Sequence, residues 1–254
     1  MGTTEVNIYE YIDDAVRDSI DYLKRNGLDV DTGHWQGVST EGHPDLVTSE
    51  VTNLQWTAKM PPDAEEAAEL IQPNLPWAED HFQERIAGEP TNPGREYKNW
   101  PWWRDQDSDT MIDGKFTHTY QERFWPPREL LGIRYLYGNL DDVIGLLRDH
   151  PHTRQATFPI FFPEDTGSTH GGRIPCTLHY HFLLRSGQLH TWYPIRSCDA
   201  VRHFRDDVYL AVRLTQHVLT RLYEPDTLWA DIEPGYLNFN AYSFHVNKGD
   251  MHRL

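Results

Sequence analysis

Ile174-Pro175-Cys176-Thr177-Leu178-His179-Tyr180-His181-Phe182-Leu183-Leu184, then Arg185-Ser186-Gly187-Gln188, then Leu189-His190-Thr191-Trp192-Tyr193-Pro194-Ile195-Arg196-Ser197-Cys198-Asp199, spells a β-hairpin. Both runs are rich in aromatic and apolar side chains, and the four residues between them carry the serine and glycine of a tight turn. The chemical interest lies at the ends of the hairpin. Cys176 follows a proline where the first strand begins, while Arg196, Ser197 and Asp199 bring a cation, a hydroxyl and a carboxylate to the end of the second. A thiol nucleophile needs a nearby cation to favour its thiolate, and Arg196 is the candidate cation.

Upstream of the hairpin, residues 140–148 read as a helix with Asn139 as its N-cap and His150-Pro151 as its stop, and residues 155–162 lean to strand. Downstream, Phe204, Val208, Ala211, Val212, Leu219 and Leu222 share one face of a helix over about 203–223. After Glu233-Pro234-Gly235 a strand runs from Tyr236 to about Asn247. Near the start, Ile8, Ile12, Val16, Ile20 and Leu23 mark an amphipathic helix ended by Gly27. Residues 47–57 lean to strand, a short helix follows Pro61-Pro62, and residues 74–103 keep no single period. No repeat or linker divides residues 1–254, so a single α+β domain is expected.

The chain carries 23 Lys+Arg against 39 Asp+Glu, a net charge of −16, and 20 of the acids but only 7 of the bases fall in the first 100 residues. An extended nucleic-acid surface needs clustered Lys and Arg, and no such stripe exists. A single phosphate needs only two or three arginines. Without a run apolar enough to cross a bilayer, a charged-then-apolar leader, or more than two cysteines, the expectation is no membrane and a reducing cytoplasm, the host's if the gene is a phage's. His179 and His181 share a strand face, but no third and fourth ligand stands at metal spacing, so no metal is expected.

The ordered set of Ile174-Pro175-Cys176, the hairpin, Arg196-Ser197-Cys198-Asp199, Glu233-Pro234-Gly235 and His245 resembles the thymidylate synthase superfamily over residues 139–247. Residues 77–92 and 116–125 look like divergent versions of segments further upstream. The resemblance implies a large mixed β-sheet packed by helices, dimerising through the sheet. It also implies a reaction in which the cysteine adds to pyrimidine C6 and C5 takes a one-carbon unit from 5,10-methylenetetrahydrofolate. Cys176 would be the nucleophile, and Arg196 and Ser197 would bind the 5′-phosphate. Asp199 would hold the folate, His245 the ribose, and Tyr120 would belong to the proton-transfer network. Arg154 would reach the partner subunit's phosphate, with Gln155 where a second arginine stands in the family. Glu79 is the match for the general acid/base, with Glu84 as the alternative.

Asp207 stands where thymidylate synthases have an asparagine that reads uracil. A carboxylic acid complements the reversed pattern of cytosine instead, and Asp at this position resembles the deoxycytidylate (dCMP) hydroxymethylases. The chain ends nine residues after His245. Against the family's long C-terminal closing portion, that short end implies an expectation of water attack and a hydroxymethyl product, unless Trp100, Trp102 and Trp103 seal the site. The expected substrate is dCMP, with Ser197 leaning to the deoxyribonucleotide. The other readings are a dCMP methyltransferase, a cytidylate (CMP) hydroxymethylase, and a non-catalytic nucleotide-binding protein. Two departures stand out: Asn247 replaces a ribose-binding tyrosine, and no arginine lies between Arg25 and Arg85, which leaves Lys59 as a substitute for the N-terminal phosphate arginine.

Overall fold

The computed structural model describes residues 7–35, 38–102, 111–127, 138–167 and 173–254. The hairpin forms the heart of a mixed sheet. β9 (His179–Arg185) turns through Ser186 and Gly187, whose φ values of 51° and 75° suit the twist of a two-residue hairpin turn, into β10 (Gln188–Asp199). β10 pairs in parallel with β11 (Glu233–Asn247), and parallel neighbours need a crossover, which α6 (Phe204–Leu222) supplies. β11 in turn lies antiparallel to β5 (Thr48–Lys59).

Short strands complete the sheet. β1 (Asn7–Tyr9) runs parallel to one end of β5, and β2 (Leu28–Val30) runs antiparallel to the other. β8 (Thr157–Pro159) forms the far edge beside β9, so the sheet has seven strands in the order β1-β5-β11-β10-β9-β8 with β2 also on β5. Two small ribbons, β3 (His34–Trp35) with β4 (Val38–Ser39) and β6 (Met111–Ile112) with β7 (Lys115–Phe116), stand apart from it.

The helices are α1 (Ile12–Asn26), α2 (Ala64–Ile71), α3 (Trp77–Arg85), α4 (Tyr120–Phe124), α5 (Leu140–Asp149) and α6. Phe204 of α6 lies edge-on to Phe244 at 4.8 Å and tilted to Phe239 at 5.5 Å between ring centroids, which ties the helix to β11. A fully buried aromatic of this kind contributes about 2–3 kcal/mol. Asn139 caps α5 as read from sequence, its Oδ1 accepting from the Asp142 N–H while Asp142 returns the bond to the Asn139 N–H.

Some elements are shorter than their sequence pattern. The periodic run from Ile8 yields its first residues to β1, because backbone pairing with β5 is available there, and the helix starts at Ile12. Residues 155–162 form only the three-residue edge strand β8, which ends at Pro159, a residue tolerated at an edge but not inside a sheet. Between Pro175 and β9 the chain meets β10 through one bridge, Thr177 with Ile195, closed by the Arg196 N–H donating to the Cys176 carbonyl and the Leu178 N–H donating to the Pro194 carbonyl.

The β10–β11 register shifts between Leu189 and Thr191, and further along a crease skips Arg196 in β10, Tyr242 in β11 and Asn53 in β5 with the register kept on both sides, Asn53 taking a left-handed φ of 57°. Beyond this crease the strand ends carry Ser197, Asp199, Ser243, His245 and Glu50. Among the described residues no helix is long and apolar enough to cross a membrane.

Candidate active site

Two cavities meet at Cys176. The first, about 210 Å³, is walled by Trp77, Tyr97, Trp100, Phe116 and Tyr120 and also presents His81, Arg85 and Asp207. The second, about 350 Å³, opens over the strand ends and is lined by Glu50, Arg196, Asp199, Ser243 and His245. Arg173, Cys176, Ser197 and His203 line both.

Arg196 holds the Cys176 segment in place. Its Nε donates to the Pro175 carbonyl and its Nη2 to the Ile174 carbonyl, both at 2.9 Å, and its backbone N–H donates to the Cys176 carbonyl at 2.9 Å. Burial pushes the Cys176 thiol above its ordinary pKa, Asp207 adds to that, and Arg196 and Arg173 pull against it. The thiol is therefore held mainly protonated, with two cations at hand to favour the thiolate.

Tyr120 opens α4 behind a capping box of Thr119 and Glu122, which fixes its direction. Its hydroxyl shares a 3.2 Å hydrogen bond with Thr177 Oγ1, which lies 3.1 Å from the Tyr193 hydroxyl. Burial pushes Tyr120 up to about 12, and the Arg85 guanidinium lies 4.0 Å from its ring centroid.

Asp207, in the first turn of α6, is pushed up to about 7 by burial. Arg85 is the chief opposing influence, Asp206 adds to the rise, and Cys198 and Tyr193 restrain it. Its neighbour Asp206 is differently employed, accepting from the Asn74 N–H at 2.8 Å and the Asn74 amide at 2.9 Å.

The expected general acid/base is not brought here. Glu79 points from α3 to α6, where Arg213 Nε and Nη2 donate to it at 2.9 Å and the Tyr209 hydroxyl at 2.8 Å. The reason is helical geometry: Trp77, His81 and Arg85 follow one another at four-residue steps on the cavity face, and Glu79 lies about 200° round the helix from Trp77. Glu84, the alternative, accepts from the Arg95 and Glu96 backbone N–H groups and from Gln121 and is not a lining residue of either cavity. His81 occupies the wall instead. Its Nε2 accepts from Arg85 Nε at 2.9 Å, and its Nδ1 is buried with no hydrogen-bond partner among the described residues. Burial and Arg85 hold the imidazole well below its ordinary pKa, so it is neutral.

Asp199 Oδ1 accepts from the Val201 and Arg202 N–H groups at 2.9 Å, which orients the turn into α6, and His245 Nδ1 lies 3.2 Å from Ser243 Oγ. Asn247 is buried and its amide has no partner among the described residues. Arg154 is exposed on a loop and lines neither cavity. Lys59 sits at the opposite end of β5 from Thr48 and Glu50, too far along the strand to replace a phosphate arginine at the second cavity. Trp100 stacks on His203 at 4.8 Å in the first cavity, whereas Trp102 lies under Arg253 and Arg202, and Trp103 falls outside the described residues.

Sequence reasoning missed His81, Arg85, Arg173 and Glu50. Arg173 had a signal, since it immediately precedes Ile174-Pro175-Cys176; the others had none before β5 and α3 were placed in space. No protein-family model matches the chain, and no curated protein matches it either.

Proposed function

We propose that the chain is a thymidylate synthase-like enzyme that hydroxymethylates C5 of a cytosine nucleotide, with dCMP and CMP as the candidate substrates. The observation that carries this reading is Asp207, a buried carboxyl pushed up to about 7 on the wall of the cavity that contains Cys176. A protonated carboxyl donates to N3 of cytosine and accepts from its 4-amino group, a pairing that uracil cannot reciprocate.

In this reading Cys176 Sγ adds to C6, assisted by Arg196 and Arg173, and C5 becomes nucleophilic. Bound 5,10-methylenetetrahydrofolate would supply the one-carbon unit at the oxidation level of formaldehyde. The flat aromatic walls of the first cavity fit a pterin, and Trp100 Nε1 is buried there without a partner among the described residues. Asp199 lines the second cavity instead, so its part in holding folate would run through its neighbour His203. Tyr120 and neutral His81 hold water and pass protons beside Cys176, the role first ascribed to Glu79. Arg154, exposed and unpaired among the described residues, would serve the partner's phosphate in a homodimer formed through the sheet.

The test is incubation with dCMP, CMP and dUMP plus the folate, with the product identified by mass. A hydroxymethylated cytosine nucleotide supports the reading, and turnover of dUMP alone overturns it. One observation favours a second reading: aromatic side chains wall the first cavity, and a site they kept dry would give a methyl group and dihydrofolate.

A further inference from the structure

The second cavity contains a carboxylate where an anionic nucleotide would be expected to meet only cations. Glu50, His245 and Asp199 are successive cross-strand partners in β5, β11 and β10, so their side chains share one face. Asp199 is spent on the Val201 and Arg202 N–H groups. Glu50 is not: among the described residues its one hydrogen bond is that from Ser243 Oγ to Oε2 at 2.7 Å, and no cation pairs with it. Ser243 links it to His245 Nδ1 at 3.2 Å. Thr48, two residues before Glu50, lines the same cavity and pairs with Asn247, whose buried amide also lacks a partner among the described residues.

A carboxylate near a bound phosphate repels it, and the repulsion is offset only if the ligand donates hydrogen bonds to that carboxylate. In the reading above Asp207 takes the base and Arg196 the phosphate, which leaves the sugar. Glu50 and His245 are directly opposed across two strands, at a separation of about 5 Å, and so present two adjacent groups to two adjacent hydroxyls. A ribose has that pair. A 2′-deoxyribose has one hydroxyl and would leave the carboxylate facing a C–H edge. The same logic places an acidic residue on the ribose hydroxyl in dinucleotide sites.

We propose that Glu50 accepts the 2′-hydroxyl of the substrate while His245 meets the 3′-hydroxyl, so that the substrate is the ribonucleotide CMP. This rests on the cytosine-nucleotide reading above and reverses the lean to dCMP that Ser197 suggested. Ser197 lies in the neighbouring row, opposite Ser243.

The experiment measures kcat/KM for CMP and dCMP with the wild-type enzyme and with Glu50→Gln, alongside competition of CMP, dCMP and 2′-O-methyl-CMP for the wild-type enzyme. The expected wild-type preference for CMP is about ten- to a hundredfold, the worth of one hydrogen bond to a charged group. Glu50→Gln should shrink that ratio about tenfold, and 2′-O-methyl-CMP should compete no better than dCMP. Equal or better use of dCMP by the wild type, or an unchanged ratio in a folded Glu50→Gln, overturns the assignment while leaving the cytosine reading intact. Should Glu50→Gln fail to fold, the wild-type competition decides alone. Failure of every cytosine nucleotide to bind overturns both.

Discussion

Burial pushes Asp207 up to about 7, and in the cytosine-nucleotide reading the proton it keeps would be the means of reading the base. Below about 7 the carboxyl is protonated and can donate to cytosine N3; above it the donor is lost. The expected outcome is a kcat/KM for cytosine nucleotides that is flat on the acid side and falls about tenfold per pH unit above neutrality. Asp207→Asn should remove that limb and move turnover to uracil nucleotides, as measured by pH-rate profiles on both bases. The same group also acts on folding. Its folded pKa is raised, so the native state holds a proton that the unfolded chain releases, and stability declines as pH rises from the ordinary carboxylate range to about 7. Cys176, Ser197, Asp199, Asp207 and His245 were legible through the ordered motifs that carry the resemblance, whereas Glu50 was not. Burial, which gives Asp207 its altered proton affinity, comes with a cavity wall built from side chains distant in the chain, Trp77, Arg85 and Tyr120 among them, and was not legible either.

The pairing of α3 with α6 shows what a short helix hides. Its three acids, Glu79, Asp80 and Glu84, are equivalent to a reader of sequence, and only packing against α6 assigns Glu79 to Arg213 and turns His81 and Arg85 into the cavity. If Glu79 is a staple between helices, Glu79→Gln should cost about 1 kcal/mol in chemical denaturation and leave kcat within about threefold of wild type. A general acid/base would show a loss of about a hundredfold or more. Elements with strong local signals, the capped α5, the hairpin and α6, follow the sequence closely. β1 and β8 do not, because their existence depends on partners far away in the chain.

At the scale of the molecule, the α+β class was legible, but the joining of β1, β2 and β11 to one strand, β5, was not, since no local pattern specifies a neighbour. The sheet leaves Trp192 and Tyr242 37% and 50% exposed, large aromatics on strands at its centre. If this face meets a second copy and Arg154 crosses over, each active site draws on two chains. Arg154→Ala and Cys176→Ala should then each be inactive alone and, when co-refolded, recover about a quarter of wild-type activity, because half the dimers are mixed and each has one intact site. Recovery of none from two inactive variants would show that Arg154 serves its own chain, and an active Arg154→Ala that it serves no site.

The crease through Arg196, Tyr242 and Asn53 constrains how such a chain can diverge. Adding or deleting one residue there in any single strand would throw its neighbours out of step and reverse the facing of every side chain beyond it, Glu50, His245 and Asp199 among them. Length changes at this place have to be matched in three separate stretches of chain at once, an event far rarer than substitution. Substitutions there leave the alignment of the three strands intact, whereas a change of length in one strand alone does not.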